Sequence, residues 1–368
     1  MTSVRLARAC VALIAASALV IGLSGGLARL GLVPPVIDAA EHHGALMICG
    51  FFGTMIALER AVAVGFGGAL LVPGLAALGA ALLALGLVPQ AAAAFLAAGV
   101  GLLAITGAST WARPTLFMGV MTVAAALWPI GTAWWMAGAS VGEATWPWLG
   151  FLVLTIVAER IELSRLAAPG PVARASLVVA VSIFVAAVLA GQPWAGSAVL
   201  AVALAALALW LLANDVAVMT VRTRGLARFA AVCLLLGYGW LLITAVTLLL
   251  LPPATTAFGH DAAVHTVAVG FVLSMVFAHA PIILPAVVGV RVRYLPTLYV
   301  PVVMLQIGVA ARLLGDFAQS GALVAAGAWL TVAALLVYAG ILAATALTNG
   351  AATRQRAEEP ARLEGPDL

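Results

Sequence analysis

Apolar stretches of about 20 residues recur along the whole chain, separated by short breaks rich in Gly, Pro or Arg. Each stretch is long enough to cross a hydrocarbon core of about 30 Å as a helix. The pattern predicts spans at 7–30, 42–65, 67–88, 91–110, 114–139, 146–167, 172–191, 195–217, 227–251, 260–289, 295–314 and 320–348. The breaks carry Pro34 and Pro35, Pro89, Pro114, Pro169 and Pro171, Pro193, Pro252 and Pro253, and Pro296, residues that punctuate helices. Arg5 and Arg8 precede a first apolar run that reaches about Leu23. That run is longer than a secretory core and no small-x-small site follows, so it reads as an uncleaved first helix. The fold class expected is all-α integral membrane, with about twelve transmembrane helices in one polytopic domain, 1–349. Polar residues after Asn349 (Gln355, Arg356, Glu358, Glu359, Glu364, Asp367) predict a disordered tail over 350–368.

Composition agrees. The chain is 65% hydrophobic and 8% charged over 368 residues, with a mean hydropathy of +1.20. Soluble domains are about 25% charged. The net charge of +4 comes entirely from arginines. Because they lie in the breaks or near the ends of spans, the charge sets orientation and does not point to nucleic acid. With the N-terminus in the cytoplasm, all but Arg29 and Arg312 fall on the inner side. This positive-inside asymmetry predicts N-in and C-in topology, as in a bacterial inner membrane, with lipid as the main partner. Asp38, Glu41, Glu143, Asp261 and Asp316 then lie on the outer side, and Trp134, Trp135, Trp146, Trp148 and Trp194 form part of an outer aromatic belt. Cys10, Cys49 and Cys233 fall inside spans and form no spaced metal motif.

The second, sixth and tenth spans share a pattern. Gly50-Phe51…Glu59-Arg60 matches Gly150-Phe151…Glu159-Arg160 at an offset of 100 residues, and Gly270-Phe271…His279 has the same spacing. The predicted unit is four helices used three times, over about 1–110, 111–217 and 218–349.

Ionisable side chains inside a membrane are costly and point to function. All five histidines lie on the second and tenth spans. His42, His43, His260 and His265 fall near the outer end. His279 is 14 residues beyond His265, about 21 Å deeper and nearly four turns on, hence on the same face. Two imidazoles on facing helices suit both axial positions of a haem iron. Asp261, four residues before His265, would orient that ring, and Met47 would be a soft ligand or packing contact. His43 and His265 are the first choice of ligands, with His42 and His260 as alternates. Glu59, Arg60, Glu159, Arg160 and His279 form an inner polar layer, with His279 a further candidate metal ligand. Pro281 and Pro285 free carbonyls at positions 277 and 281, which at membrane depth line a cavity or a protein interior.

Twelve helices, four-helix units in three-fold arrangement and histidines on helices 2 and 10 resemble haem–copper oxidase subunit I. There the equivalents of these helices carry the low-spin haem ligands. The segments His43-x6-Gly50-Phe51 and His265-Thr-Val-Ala-Val-Gly270 are also similar to the NnrS family of twelve-helix membrane proteins, which hold haem and copper and are linked to nitric oxide stress. In the helix 2 segment, that family's second histidine falls on Ala45. The resemblance implies haem b, with copper as a second candidate, and a role in electron transfer or in the response to nitrogen-oxide or metal stress. The copper-ligating histidines that oxidases carry on helices 6 and 7 have no counterpart, and the His-x-His pair of helix 10 is missing. A complete oxygen-reducing centre is therefore not expected, and the redox partner is open. Two other readings fit the residues: a twelve-helix secondary transporter using the inner charged layer, and a cofactor-free membrane assembly factor.

Overall fold

The computed structural model describes residues 3–34, 39–163, 169–190, 194–256, 258–289 and 292–363. Asp38, Arg165, Arg291, Glu364, Asp367 and the side chain of Trp194 lie outside the described residues. Among the described residues there is no strand, and twelve helices are long and apolar enough to cross a membrane. They are α1 (Val4–Arg29), α2 (Ala39–Val64), α3 (Gly67–Ala84), α4 (Val88–Ala112), α5 (Leu116–Met136), α6 (Val141–Leu163), α7 (Pro171–Leu189), α8 (Gly196–Asn214), α9 (Gly225–Leu250), α10 (Gly259–Pro285), α11 (Pro296–Ala318) and α12 (Gly321–Thr348). Helices satisfy every backbone group within one segment, which an apolar surround demands. The protein is an integral membrane protein.

Local signals set the ends. Pro89 and Pro171 stand in the first turns of α4 and α7, where a missing N–H costs nothing. Gly65 (φ 72°) and Gly289 (φ 73°) close α2 and α10 in the left-handed conformation. Ser140 and Glu143 make a reciprocal cap. The Glu143 carboxylate accepts from Ser140 N at 2.8 Å, and Ser140 Oγ accepts from Glu143 N at 3.2 Å. This capping box starts α6 at Val141, five residues before the expected 146. The last helix continues beyond its apolar span to Leu363. It runs through Arg354, Gln355, Arg356, Glu358 and Glu359, which sequence composition assigns to a disordered tail and which are good helix formers.

Successive helices pack as antiparallel neighbours, and α2, α6 and α10 each touch the other two. Of the most apolar window of α6, 78% is buried, against 17% for α1 and 22% for α12. Helix α6 is thus central, and α1 and α12 face outward. Trp148 and Trp146 are buried on α6 and do not belong to an outer belt. Trp148 donates to Thr132 Oγ1 at 3.2 Å. Depth along a helix is legible in sequence, but which face meets lipid is not.

Helices α2 and α10 share an internal irregularity. Leu46–Gly53 and Thr266–Leu273 are π-helical, and their residue numbers differ by 220 throughout. At the same offset, Thr54 Oγ1 donates to Gly50 O at 2.6 Å and Ser274 Oγ to Gly270 O at 2.7 Å. Each hydroxyl bonds back to the carbonyl four residues earlier, as Ser and Thr do within helices. Helix α6 is α-helical throughout. The π-helical segment also lies between His265 and His279, so its wider turn disturbs the register that would keep them on one face.

Candidate functional site

At the end of the molecule where α2, α6 and α10 begin, a cavity of about 900 Å³ opens between α1, α2, α6, α10, α11 and α12. His43, His260 and His265 all line it, with Met47, Asp261, Arg312 and Asp316. The small residues of α1 make room for the α2 side chains. A Cβ on Gly26 would stand 3.6 Å from the His43 ring, and one on Gly22 would stand 2.9 Å from Met47 Sδ. His42, about 100° around the helix from His43, is buried against Trp135 with ring centroids 5.7 Å apart. Only one of the adjacent pair therefore reaches the cavity. His260 packs edge-on against Trp146 at 6.0 Å and also borders a second, shallower pocket containing Trp134, Glu143 and Pro253.

His265 is the best oriented of these rings. Its Nδ1 lies 2.9 Å from Asp261 O and 3.2 Å from Asp261 Oδ1. Both partners are acceptors, so Nδ1 carries a proton. Asp261 is fixed in turn by Arg312, whose Nε donates to Oδ2 at 2.9 Å and Nη2 to Oδ1 at 2.7 Å. This two-point clamp joins α11 to α10. His43 is held less firmly. Its Nδ1 is buried and has no hydrogen-bond partner among the described residues.

At the opposite end, charged residues close on each other. Arg60 pairs with Glu59 and reaches Glu159 at 3.6 Å, tying α2 to α6. Arg160, 4% exposed, pairs with the buried Asp215 at 3.1 Å. Asp215 also accepts from the Tyr238 hydroxyl at 2.6 Å and from Ala217 N at 2.7 Å. His279 Nδ1 lies 2.8 Å from Met275 O and its other ring nitrogen 3.3 Å from Arg160 Nη1. A lone pair facing a guanidinium is poorly placed for a metal cation, so this geometry gives His279 a structural partner and argues against the ligand role expected of it. The five inner-layer residues do come together, joined by Asp215 and Tyr238.

Between the two ends, Trp240 Nε1 donates to Gln306 Oε1 at 2.6 Å and Gln306 Nε2 to Ser274 Oγ at 3.1 Å. The carbonyl of Phe277, freed by Pro281, accepts from the Tyr338 hydroxyl at 2.7 Å. Protein interior thus satisfies it, one of the two outcomes expected of a proline within a span.

Asp215, Tyr238 and the Arg312–Asp261 clamp are the contributions that sequence reasoning missed. Asp215 and Arg312 had a signal, since a charge inside or at the edge of an apolar span needs a partner. The partners lie on other helices, and one sequence does not reveal them. Among the described residues, no three His, Cys, Asp or Glu side chains gather as a bare metal ion would require. No curated protein and no solved structure matches the chain. A family model matches residues 8–347, nearly the whole length, and the chain belongs to that family, described as Domain of unknown function (DUF8744).

Proposed function

We propose that this is a haem-binding membrane protein of electron transfer or of the response to nitrogen-oxide stress, in which His265 and His43 would hold the haem. The observation that carries this reading is the chain Arg312–Asp261–His265 at the wall of the cavity that His43 also lines. A ligating histidine commonly gives its other N–H to a carboxylate that is itself hydrogen-bonded, and this arrangement leaves His265 Nε2 available. The cavity volume falls within the range of about 300–1,000 Å³ of cofactor pockets. The residues fit haem better than bare copper, because haem brings four of its own nitrogens and needs only one or two from the chain. When bound, haem supplies a one-electron centre. The chain's part is to fix the ring of His265, keep its proton on Nδ1 and surround the site with apolar wall. The test is a visible spectrum of the purified full chain. A Soret band of the b type is expected, and its absence after expression with haem available overturns the reading.

The same proposal includes an oxidase-like arrangement of three four-helix units. The mutual contact of α2, α6 and α10 supports it, as do the π-helical segments and hydroxyl bonds at matching positions of α2 and α10. Helix α6 shares the Glu-Arg position but not the π-helical segment. The proposed orientation is N-in and C-in in a bacterial inner membrane, supported by the arginine asymmetry. A reporter fused at Asn349 should behave as cytoplasmic and one in the 252–259 loop as external; the reverse at either point rejects it.

A second reading, a secondary transporter, is favoured by the charged layer that ties α2, α6, α8 and α10 together at the end away from the cavity. Such a layer, with Asp215 in the turn that follows α8, could close one side of a carrier. Substrate-dependent flux in vesicles from a protein lacking a haem spectrum would select it.

A further inference from the structure

Asp316 stands in the last turn of α11 with 2% of its surface exposed, on the wall of the same cavity. Among the described residues, neither of its carboxylate oxygens has a hydrogen-bond donor. The charged groups beside it are the Asp261 carboxylate, another acceptor, and the Arg312 guanidinium, whose donors go to Asp261 and not to Asp316. Both oxygens of Asp261 are committed to Arg312, and Oδ1 also lies against His265. Asp261 is therefore the ionised member of the pair. A second ionised carboxylate, buried, without a donor and beside a first, is the unfavourable form. Two carboxyl groups so placed are accommodated when a proton remains between them.

We propose that Asp316 is held as a neutral carboxylic acid and is the proton donor of the cavity. In that role the Asp316 O–H bond breaks, the proton passes to an acceptor atom of a small ligand in the cavity, and the electron pair stays on the carboxylate. Arg312, one turn back on the same helix, lies beside the new charge. Water at the cavity mouth returns the proton. The other ionisable groups at the cavity wall are Arg29 of α1, Glu41 and His43 of α2, and His260, Asp261 and His265 of α10; the lining residues of α12, such as Gly321, Val324 and Ala328, have none. The inference shares the cavity of the proposed haem site but does not require haem, and Asp316 bonds to neither proposed ligand.

The test is infrared spectroscopy of the purified full chain in lipid at neutral pH, in water and in D2O, comparing wild type with D316N and D316E. The carbonyl stretch of a protonated acid should be present in wild type, shift in D2O, vanish in D316N and return at a displaced position in D316E. In wild type it should also be lost at alkaline pH. If D316N does not fold, the displacement in D316E alone assigns the band. No difference between wild type and either variant means that Asp316 is ionised and overturns the proposal. A band that neither shifts in D2O nor titrates means a sealed structural acid, and overturns it equally. A chain with this band but no Soret absorption would reject the haem reading and keep this one. A Soret band without the acid band would do the reverse.

Discussion

The two ends of this molecule use similar residues to opposite purposes. At one end Arg312 clamps Asp261, but the pair borders open space, and the Asp261 side chain remains 32% exposed. The arginine there orders a carboxylate that orders a histidine, and the chain of bonds stops at the cavity. At the other end Arg160 and Asp215 are 4% and 0% exposed, and every group they reach is protein. One end leaves a histidine ring at the wall of a cavity, and the other ties helices to each other. The difference teaches that an intramembrane charge points to function only when its bonds leave something unsatisfied. A buried pair whose partners are all supplied is a fastening, and removing one partner is what makes it costly.

The comparison breaks first at the histidines. His265→Ala should abolish haem retention, read as loss of the Soret band from purified protein. His279→Ala should keep the spectrum, because that residue lies about 21 Å deeper along the same helix and is bonded to Arg160. A normal spectrum in the His265 variant, or loss in the His279 variant, would show that the ends are assigned the wrong way round. The arginines give the next largest contrast. Arg160→Ala leaves Asp215 buried without its counter-charge and should cost about 3–5 kcal/mol in stability, seen as a fall in unfolding temperature in detergent. Arg312→Ala should lower stability much less, since its partner is partly solvated, but should weaken haem retention about 10–100-fold, the usual effect of losing a group that orients a ligand. Equal stability losses in the two variants would remove the distinction between the two ends.

These contrasts were only partly legible in the sequence. Run length and arginine placement are enough to locate all twelve spans, because hydrocarbon thickness sets the one and loop chemistry the other. Of the adjacent pair, His43 lines the cavity and His42 does not, since adjacent helical residues cannot share a face. Helix starts that depend on caps were missed where the cap sits in a polar break, as Ser140 and Glu143 do. The burial of Trp146 and Trp148 was missed because an aromatic at the right depth looks the same in sequence whether it meets lipid or protein. The π-helical segments left no trace, since a run such as Leu46–Gly53 is apolar at nearly every position and so has no periodicity to shift. Asp215 pairs with Arg160 and Tyr238 across 55 and 23 residues, a relation that local pattern does not contain.

The π-helical segments allow a finer comparison, between equivalent positions of α2 and α10. A Cβ on Gly270 would meet Trp240 at 2.5 Å, whereas one on Gly50 would meet Ala18 and Ala80 Cβ atoms at 3.2 Å. Gly270→Ala must displace an indole that is also bonded to Gln306, and should cost about 1–3 kcal/mol as an overpacked site. Gly50→Ala needs only a few tenths of an ångström from two methyl groups and should cost less. Thermal unfolding of the two variants side by side checks the order, and a Gly50 variant as unstable as the Gly270 one would mean that the two segments are packed alike.

The smallest effect concerns the proline-freed carbonyl. Pro281 removes the N–H that would have bonded Phe277 O, and Tyr338 of α12 donates its hydroxyl instead while its ring stacks on Phe277 at 4.0 Å. Tyr338→Phe keeps the stack and removes only the donor, so the loss should be about 1 kcal/mol, the net worth of one hydrogen bond. Two further substitutions make the result diagnostic. In a Pro281→Ala background the helix regains its own N–H donor to Phe277 O, so Tyr338→Phe should then cost close to nothing. Tyr338→Ala loses the stack as well and should be worse than Tyr338→Phe in either background. If Tyr338→Phe costs the same with and without Pro281, the hydroxyl does not serve the proline-freed carbonyl, and α12 is held to α10 by ring packing alone.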